Sequence, residues 1–140
     1  MKAQVKWVDG VMFVGETESG HAIVMDGAPA SGGRNMGARP MEMLLLGMGG
    51  CTSFDVINIL RKGRERVTDC HVEIEAERAE SDPKVFTRIH AEFVVTGRNL
   101  SLAKVERAVS LSADKYCSAS IMLGAMAEIT HSVRIVEDDT

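Results

Sequence analysis

Aromatic residues are scarce in this chain of 140 residues, which contains one Trp, one Tyr and four Phe. A binding pocket built by this chain therefore cannot be strongly aromatic. Excess positive charge is also absent, since the net charge is −4 and the basic residues are scattered. The sequence thus shows no cluster of basic residues of the kind that binds nucleic acid or an anionic membrane. Internal repeats and low-complexity tracts are missing too, and we expect one folded domain over residues 1–140.

A secretory start and a long apolar run are likewise missing. Residues 1–7 alternate in the manner of a strand instead of forming a charged start followed by an apolar run. The longest mostly apolar stretch, Met43 to Phe54, contains three glycines and is shorter than a membrane span requires. We therefore expect a cytoplasmic protein that makes no contact with a membrane.

Motifs for metals and nucleotides are not found either. There is no Cys-x-x-Cys pair, and the four histidines fall singly on strands without ligand spacing. Of these, His71 and His90 lie on the polar faces of neighbouring strands and could pair. The glycines of residues 47–50 lie inside an apolar helix, without the lysine of a phosphate-binding loop. The sequence predicts no metal and no cofactor.

The periodicity of apolar residues predicts a mixed α+β chain with the order βββ-α-ββ-α-α-β and antiparallel sheets. On the first helix after the hairpin, Leu102, Val105, Val109 and Ser112 share one face. The predicted segments are a β-meander over 1–26, a Gly- and Ala-rich loop over 27–39, a central helix over 40–62, a hairpin over 69–96, helices over 101–126 and a final strand over 129–136.

The central helix carries no charge between Glu42 and Asp55 and is apolar nearly all round. Such a helix is buried on every side, and a chain of this size has few ways to surround it. A dimer would supply the missing cover. Gly47, Gly49 and Gly50 indicate that the helix backbone closely approaches another element, or else they bend or end the helix.

The chain has three cysteines, an odd number that leaves at least one thiol unpaired. Cys70, on the apolar face of a strand, is expected to be a small buried hydrophobe. Cys51 lies in the charge-free helix, where it is either inert and buried or chemically active. Cys117 lies at a helix break between Tyr116 and Ser118. A helix beginning there would lower the pKa of its thiol, although a cysteine that merely fills a turn explains the pattern equally well.

Three short motifs together resemble the OsmC/Ohr family of osmotically inducible and organic hydroperoxide resistance proteins, and within it the YhfA-type branch. They are Pro40-Met41-Glu42-Met43-Leu44, Gly49-Gly50-Cys51 and Lys115-Tyr116-Cys117-Ser118. The resemblance covers essentially the whole chain, because the order of strands and helices also fits. It implies an intertwined homodimer in which antiparallel sheets wrap around central helices.

The resemblance also implies a chemistry. Characterised members are thiol-dependent peroxidases, so Cys51 would attack an organic hydroperoxide and become a sulfenic acid. Cys117 would then close a disulfide with Cys51, and an external dithiol would reduce that disulfide. An arginine held by a glutamate would supply positive charge, and the candidates are Glu42 with Arg39 or Arg34.

This chain departs from the family pattern at the glutamate. The family's glutamate directly follows the proline, whereas here Met41 takes that position and Glu42 comes one residue later. A shift by one residue turns a helical side chain by about 100°. The pocket would instead have a soft lining of methionines. These are Met36, Met41, Met43 and Met48.

Three functions remain open from the sequence. The first is a peroxidase acting on organic hydroperoxides. The second is a non-catalytic protein of the same dimeric form that binds a small apolar or electrophilic ligand in the crevice between its chains, which the shifted glutamate favours. The third is a redox sensor that changes a partner surface when Cys51 and Cys117 join.

Overall fold

The computed structural model describes all 140 residues, and they divide into two compact units, Met1–Leu46 and Gly47–Thr140. The element order confirms the predicted βββ-α-ββ-α-α-β arrangement. A short 3-10 turn, Pro29–Ser31, and a five-residue π turn, Ser112–Tyr116, are added to it. The elements are β1 Ala3–Asp9, β2 Met12–Thr17, β3 Ala22–Met25, α1 Pro40–Lys62, β4 Arg66–Arg78, β5 Phe86–Arg98, α2 Leu102–Leu111, α3 Ser118–Gly124 and β6 Glu128–Glu137.

The first unit holds the predicted meander, an antiparallel sheet in the order β1-β2-β3. Gly10, with a φ of 54°, turns the chain between β1 and β2, a conformation that glycine adopts without steric cost. The Trp7 indole N–H donates to the Gly10 carbonyl at 2.8 Å and fixes the same turn. This unit also contains the loop that leads into α1.

The second unit holds a sheet in the order β4-β5-β6, and here the expectation of purely antiparallel sheets is wrong. The hairpin of β4 and β5 is antiparallel, but β6 pairs with β5 in parallel, from Arg88 opposite Glu128 to Gly97 opposite Glu137. The physical reason is the connection. Parallel neighbours need a long crossover, and α2, the π turn and α3 supply it between the end of β5 and the start of β6.

Helix α1 runs for 23 residues, from Pro40 to Lys62, and extends beyond the charge-free stretch at both ends. Its most apolar 18-residue window has a mean hydropathy of 1.5, so by length and composition it is able to cross a membrane. The prediction that the apolar segment is too short for a bilayer is therefore wrong, because the helix continues past Phe54 with few charges. A core helix of a soluble protein has the same properties.

Within the second unit, α1 and α2 pack on one face of the β4-β5-β6 sheet. Val56 and Leu60 of α1 join Phe93 and Val95 of β5 and Val105 of α2 in one buried cluster. At this size, each of these side chains contributes roughly 1.5–3 kcal/mol by leaving water. The cluster fixes the turn of α1 that carries Cys51 relative to the sheet.

Gly49 shows why glycine is needed where α1 meets β4. A Cβ atom at this position would stand 2.9 Å from the Cδ1 atom of Ile74 and 3.3 Å from Val72. The predicted close approach is thus confirmed at Gly49. At Gly47 and Gly50 an added methyl group would meet nothing within 4 Å, so the chain itself gives no packing reason for these two glycines.

Candidate functional site

Cys51 and Cys117 come together in the second unit, the first from the middle of α1 and the second from the residue before α3. Both are free thiols; Cys51 is partly exposed and Cys117 is completely buried. The Cys51 side chain lies close enough to Cys117 to help raise the pKa of the Cys117 thiol. The structure therefore pairs one accessible sulfur with one buried sulfur.

Cys117 caps the start of α3, as the helix break predicted. Its Sγ atom accepts hydrogen bonds from the Ser120 backbone N–H at 3.3 Å and from the Ser120 hydroxyl at 3.1 Å. Burial raises the pKa of Cys117, these two bonds lower it, and the net shift is upward. The expectation that the helix start would lower this pKa is wrong, because removal of the thiolate from water outweighs the local donors.

A buried hydroxyl network lies beside the two thiols. The Thr52 and Ser112 hydroxyl oxygens are 2.8 Å apart, and the Ser112 hydroxyl lies 3.0 Å from an Asp55 carboxylate oxygen. The Cys117 backbone N–H donates to the Ser112 carbonyl at 2.7 Å. The sequence alone did not reveal this network. Its one signal was Ser112 itself, a polar residue on the otherwise apolar face of α2.

Glu42 and Arg39 meet each other in the first unit, at the start of α1. A Glu42 carboxylate oxygen accepts a hydrogen bond from the Arg39 backbone N–H at 2.8 Å, which is half of a capping box. The Arg39 guanidinium donates to the Asn35 side-chain oxygen at 2.7 Å and to the Gly37 carbonyl at 3.1 Å. Glu42 thus binds the backbone of Arg39, and no ion pair joins their side chains. Their part in thiol chemistry stays a prediction.

Arg34, the other candidate arginine, forms an ion pair with Asp9 at 3.1 Å. Both side chains are more than half exposed. An exposed pair of this kind stabilises a protein by about 0–1 kcal/mol, so it constrains Arg34 only weakly.

Asp26 organises the loop that carries both arginines. Its side chain is 2% exposed and accepts hydrogen bonds from the backbone N–H groups of Gly27, Arg34 and Met36 at 2.7, 3.2 and 3.2 Å. Burial raises the pKa of Asp26, but the three N–H bonds together outweigh burial and hold the pKa below its ordinary value. One buried carboxylate therefore fixes the course of the loop.

Replacing Asp26 by Asn is expected to lower the melting temperature at neutral pH by about 5 °C or more, because the amide presents an N–H to one of the three donors. The lowered pKa means that the stabilisation is present above the ordinary value of 3.8 and is lost as the pH falls below it. The difference from wild type should therefore shrink in acid. Thermal unfolding followed by circular dichroism measures both effects. The exposed Asp9→Asn variant is the control and should melt within about 1 °C of wild type.

The first unit also contains an open apolar cavity of about 570 Å³. Its walls include Val5, Val11, Phe13 and Met25, and Asp26 lies at its edge. The four methionines predicted to line a pocket are not among its lining residues. Met48, for example, is buried in the second unit.

The histidines form no pair and no metal cluster. Of the two possibilities for His71 and His90, pairing with each other or separate exposure on the surface, the structure shows the second. His71 lies 3.5 Å from Glu73 on its own strand, whereas His90 contacts the Thr130 hydroxyl at 2.7 Å on β6. Strand register explains this, because His71 stands opposite Val94 and His90 opposite Glu75. No three His, Cys, Asp or Glu side chains lie close enough together to hold a metal ion.

The sequence profile of OsmC-like proteins matches residues 32–132, which is more than half of the chain. The chain belongs to the OsmC-like family. This OsmC-like protein is 52% identical to Protein YhfA of Escherichia coli strain K12 over 136 residues, covering 97% of this chain and 98% of YhfA.

Solved structures support the same assignment. A hypothetical protein from Aquifex aeolicus VF5 superposes with a TM-score of 0.86 at 28% identity, covering 99% of this chain and 97% of its own. An organic hydroperoxide resistance protein OsmC from Legionella pneumophila superposes with a TM-score of 0.69 at 16% identity, covering 94% of each chain. At that identity the second likeness shows a shared fold alone. The OsmC-like fold is thus established for this chain.

Proposed function

We propose that this OsmC-like protein is a thiol-dependent peroxidase that reduces organic hydroperoxides. The observation that carries the proposal is the pairing of a partly exposed Cys51 with a buried Cys117, both free thiols, close enough for Cys51 to raise the pKa of Cys117. A peroxidase of this type needs one sulfur that substrate can reach and a second sulfur that is reserved for the disulfide. Packing alone does not require two thiols to meet.

The reaction proceeds in three steps. The Cys51 thiolate attacks the terminal oxygen of the hydroperoxide, the O–O bond breaks, and the alkoxide leaves and takes up a proton as the alcohol. Cys51 is thereby oxidised by two electrons to a sulfenic acid. The Cys117 thiolate then attacks the Cys51 sulfur, forming the disulfide and releasing hydroxide, which becomes water. An external dithiol reduces the disulfide and is itself oxidised to a disulfide.

Arg39 and Glu42 are proposed to assist the first step. A thiolate is stabilised by nearby positive charge, and the Arg39 guanidinium is the permanent cation whose orientation is best fixed, since it donates to both Asn35 and Gly37. Glu42 secures the backbone of Arg39 at the helix start. In this chain, therefore, the glutamate would orient the arginine through its backbone and not through its side chain.

A second copy of the chain is the proposed partner. Leu44, Leu46 and Phe54 on α1 are 47%, 62% and 69% exposed, which is unusual for large apolar residues on the most apolar helix of a protein. A homodimer that covers α1 would remove this surface from water. We place the protein in the cytoplasm, where thiols are kept reduced between turnovers.

The test is to mix reduced protein with one equivalent of cumene hydroperoxide and to follow intact mass and peptide maps over seconds to minutes. The expected product has lost two hydrogen atoms and contains a peptide in which Cys51 is bonded to Cys117. Cys70 should stay reduced and serves as the internal control, because burial raises the pKa of its thiol. Unchanged thiols after several minutes would exclude the peroxidase function.

A ligand-binding function is the second candidate, and the apolar cavity of the first unit is the observation that favours it. Its volume lies within the range typical of small-molecule sites. A binding protein would retain an apolar ligand through purification and would consume no hydroperoxide in excess dithiol. Native mass spectrometry of the purified protein, together with the peroxide assay, separates the two candidates.

The rate of disulfide closure is expected to rise with pH, by about tenfold per unit near neutrality. The reason is that burial raises the pKa of Cys117, so its thiolate is the minor form and its amount follows the pH closely. Stopped-flow mixing of the pre-formed sulfenic acid with buffers over roughly two pH units measures this rate. Ser120→Ala removes a hydrogen bond that lowers the same pKa and should move the profile to higher pH. A flat profile in both proteins would contradict the assignment of Cys117 as the attacking thiol.

A further inference from the structure

The hydroxyl network next to the thiols joins two elements that are far apart in the sequence. Thr52 directly follows Cys51 on α1, Asp55 lies one turn further along, and Ser112 begins the π turn. Thr52 is 2% exposed and Ser112 is completely buried. The contacts of 2.8 Å between Thr52 and Ser112 and of 3.0 Å between Ser112 and Asp55 are short enough to be well-formed hydrogen bonds.

The direction of these bonds follows from counting protons. The Asp55 carboxylate can only accept, and each hydroxyl has a single proton to donate. The Ser112 hydroxyl has two acceptors within reach, an Asp55 carboxylate oxygen at 3.0 Å and the Thr52 backbone carbonyl at 3.3 Å, and it donates mainly to Asp55 because that acceptor is charged and nearer. The Thr52 hydroxyl then donates to the Ser112 oxygen. Every buried side-chain polar atom in this region has a partner.

Ser112 reaches Cys117 through its backbone. Its carbonyl accepts the Cys117 N–H at 2.7 Å, which closes the π turn Ser112–Tyr116. π turns are rare and are frequently found at functional sites. The side chain of Ser112 is thus fastened to the helical turn of Cys51, while its carbonyl is fastened to Cys117.

We propose that Thr52, Ser112 and Asp55 are positioning residues that hold the π turn so that Cys117 stands ready to close the disulfide with Cys51. This inference rests on the proposed peroxidase function and assigns these residues to its second step. They touch neither the hydroperoxide nor the reacting oxygen.

Disulfide closure has a strict geometric requirement. The bond forms only when the Cα atoms are within about 7 Å and the Cβ atoms face one another. A turn that is held in this geometry raises the effective concentration of the second thiol, and a loosened turn lowers it. Because Cys51 is held within the regular hydrogen bonding of α1, the first oxidation at Cys51 should depend on the network much less than the closure by Cys117 does.

The experiment compares Thr52→Val, which removes the hydroxyl at nearly constant shape, with Thr52→Ser, which keeps the hydroxyl. Ser112→Ala is the second probe. Rapid quenching with dimedone after one equivalent of cumene hydroperoxide measures the formation of the sulfenic acid and its loss to the disulfide. Thr52→Val and Ser112→Ala should close the disulfide at least about tenfold more slowly, with sulfenic acid formation within about twofold of wild type. Thr52→Ser should close it within about twofold of wild type.

The reduction potential of the Cys51–Cys117 disulfide is a second measurement. It would not change if these residues contributed only to the overall stability of the fold. The disulfide is equilibrated with mixtures of reduced and oxidised dithiothreitol and scored by mass. A tenfold loss of effective concentration in Thr52→Val raises the reduction potential by about 30 mV relative to wild type. Thr52→Ser should keep the wild-type value.

Failure of this proposal is distinguishable from failure of the proposed function. If wild-type protein forms no Cys51–Cys117 disulfide, the peroxidase function itself is wrong. If wild type closes the disulfide and Thr52→Val closes it equally fast with an unchanged potential, the positioning role is wrong. Melting curves identify a variant that does not fold. Asp55→Asn, which keeps the side-chain shape and removes the charge, then replaces that variant in the measurements of closure rate and reduction potential.

Discussion

Replacing Cys51 by Ser is expected to abolish hydroperoxide reduction, with kcat/KM falling by at least about 1000-fold. A serine hydroxyl is far less nucleophilic than a thiolate and cannot be oxidised to a sulfenic acid, so neither the O–O cleavage nor the later disulfide is available. Consumption of cumene hydroperoxide in excess dithiothreitol measures the loss. The change is nearly isosteric at a partly exposed position, so the variant should fold.

Cys70→Ser is the matched control for this experiment. Cys70 is also partly exposed and also lies in the second unit, but its pKa is raised, by burial first and by Asp69 second. It has no role in the proposed cycle, and the variant should retain activity within about twofold. Residual turnover of Cys51→Ser close to that of wild type would mean that another group reduces the hydroperoxide, and the assignment of Cys51 would then fail.

Replacing Cys117 by Ser is expected to separate the two chemical steps. Without added thiol, the variant should consume the first equivalent of hydroperoxide as fast as wild type but remain a sulfenic acid at Cys51, because no second thiol is present to close the disulfide. Intact mass should show the gain of one oxygen atom at Cys51, and dimedone should trap it. Excess hydroperoxide should then add a second oxygen to give the sulfinic acid.

The wild-type protein is the comparison for the Cys117 variant, since it should lose two hydrogen atoms and resist further oxidation. A variant that still loses two hydrogen atoms and forms an intramolecular disulfide at Cys51 would show that Cys117 is not the resolving residue. A variant that never takes up the first oxygen would show instead that Cys117 is needed for the attack itself. The double variant with Cys70→Ser excludes Cys70 as a substitute thiol in either case.

The element order could be predicted from the sequence because it depends on local periodicity. Alternation identified the strands, and the helix break at Tyr116-Cys117-Ser118 located the start of α3. Alternation also tells which face of a strand is buried, but it does not tell which strand is its neighbour or in which direction that neighbour runs. The parallel pairing of β6 with β5 could therefore not be predicted in this way.

The pKa of Cys117 could not be predicted from the sequence for a similar reason, because it depends on residues that are distant in the chain. The prediction that a helix start lowers the pKa of Cys117 uses only neighbours in the sequence. The burial that raises this pKa depends on the folded chain around the thiol and was not visible there. Ser112 is similar: its position on an apolar face was evident, whereas its partner Thr52 lies 60 residues earlier in the chain.

The parallel pairing of β6 has a consequence for how the molecule is made. Each residue of β6 pairs with a residue of β5 that lies 40 positions earlier, as for Arg88 with Glu128 and for Gly97 with Glu137. Pairings of such high contact order form late, because the chain must close a large loop before any contact is gained. Helices α2 and α3 both contact β6, so the segment that carries Cys117 reaches its final packing only near the end of folding. Until the last strand docks, Cys117 therefore lacks part of the packing that buries the helices on either side of it.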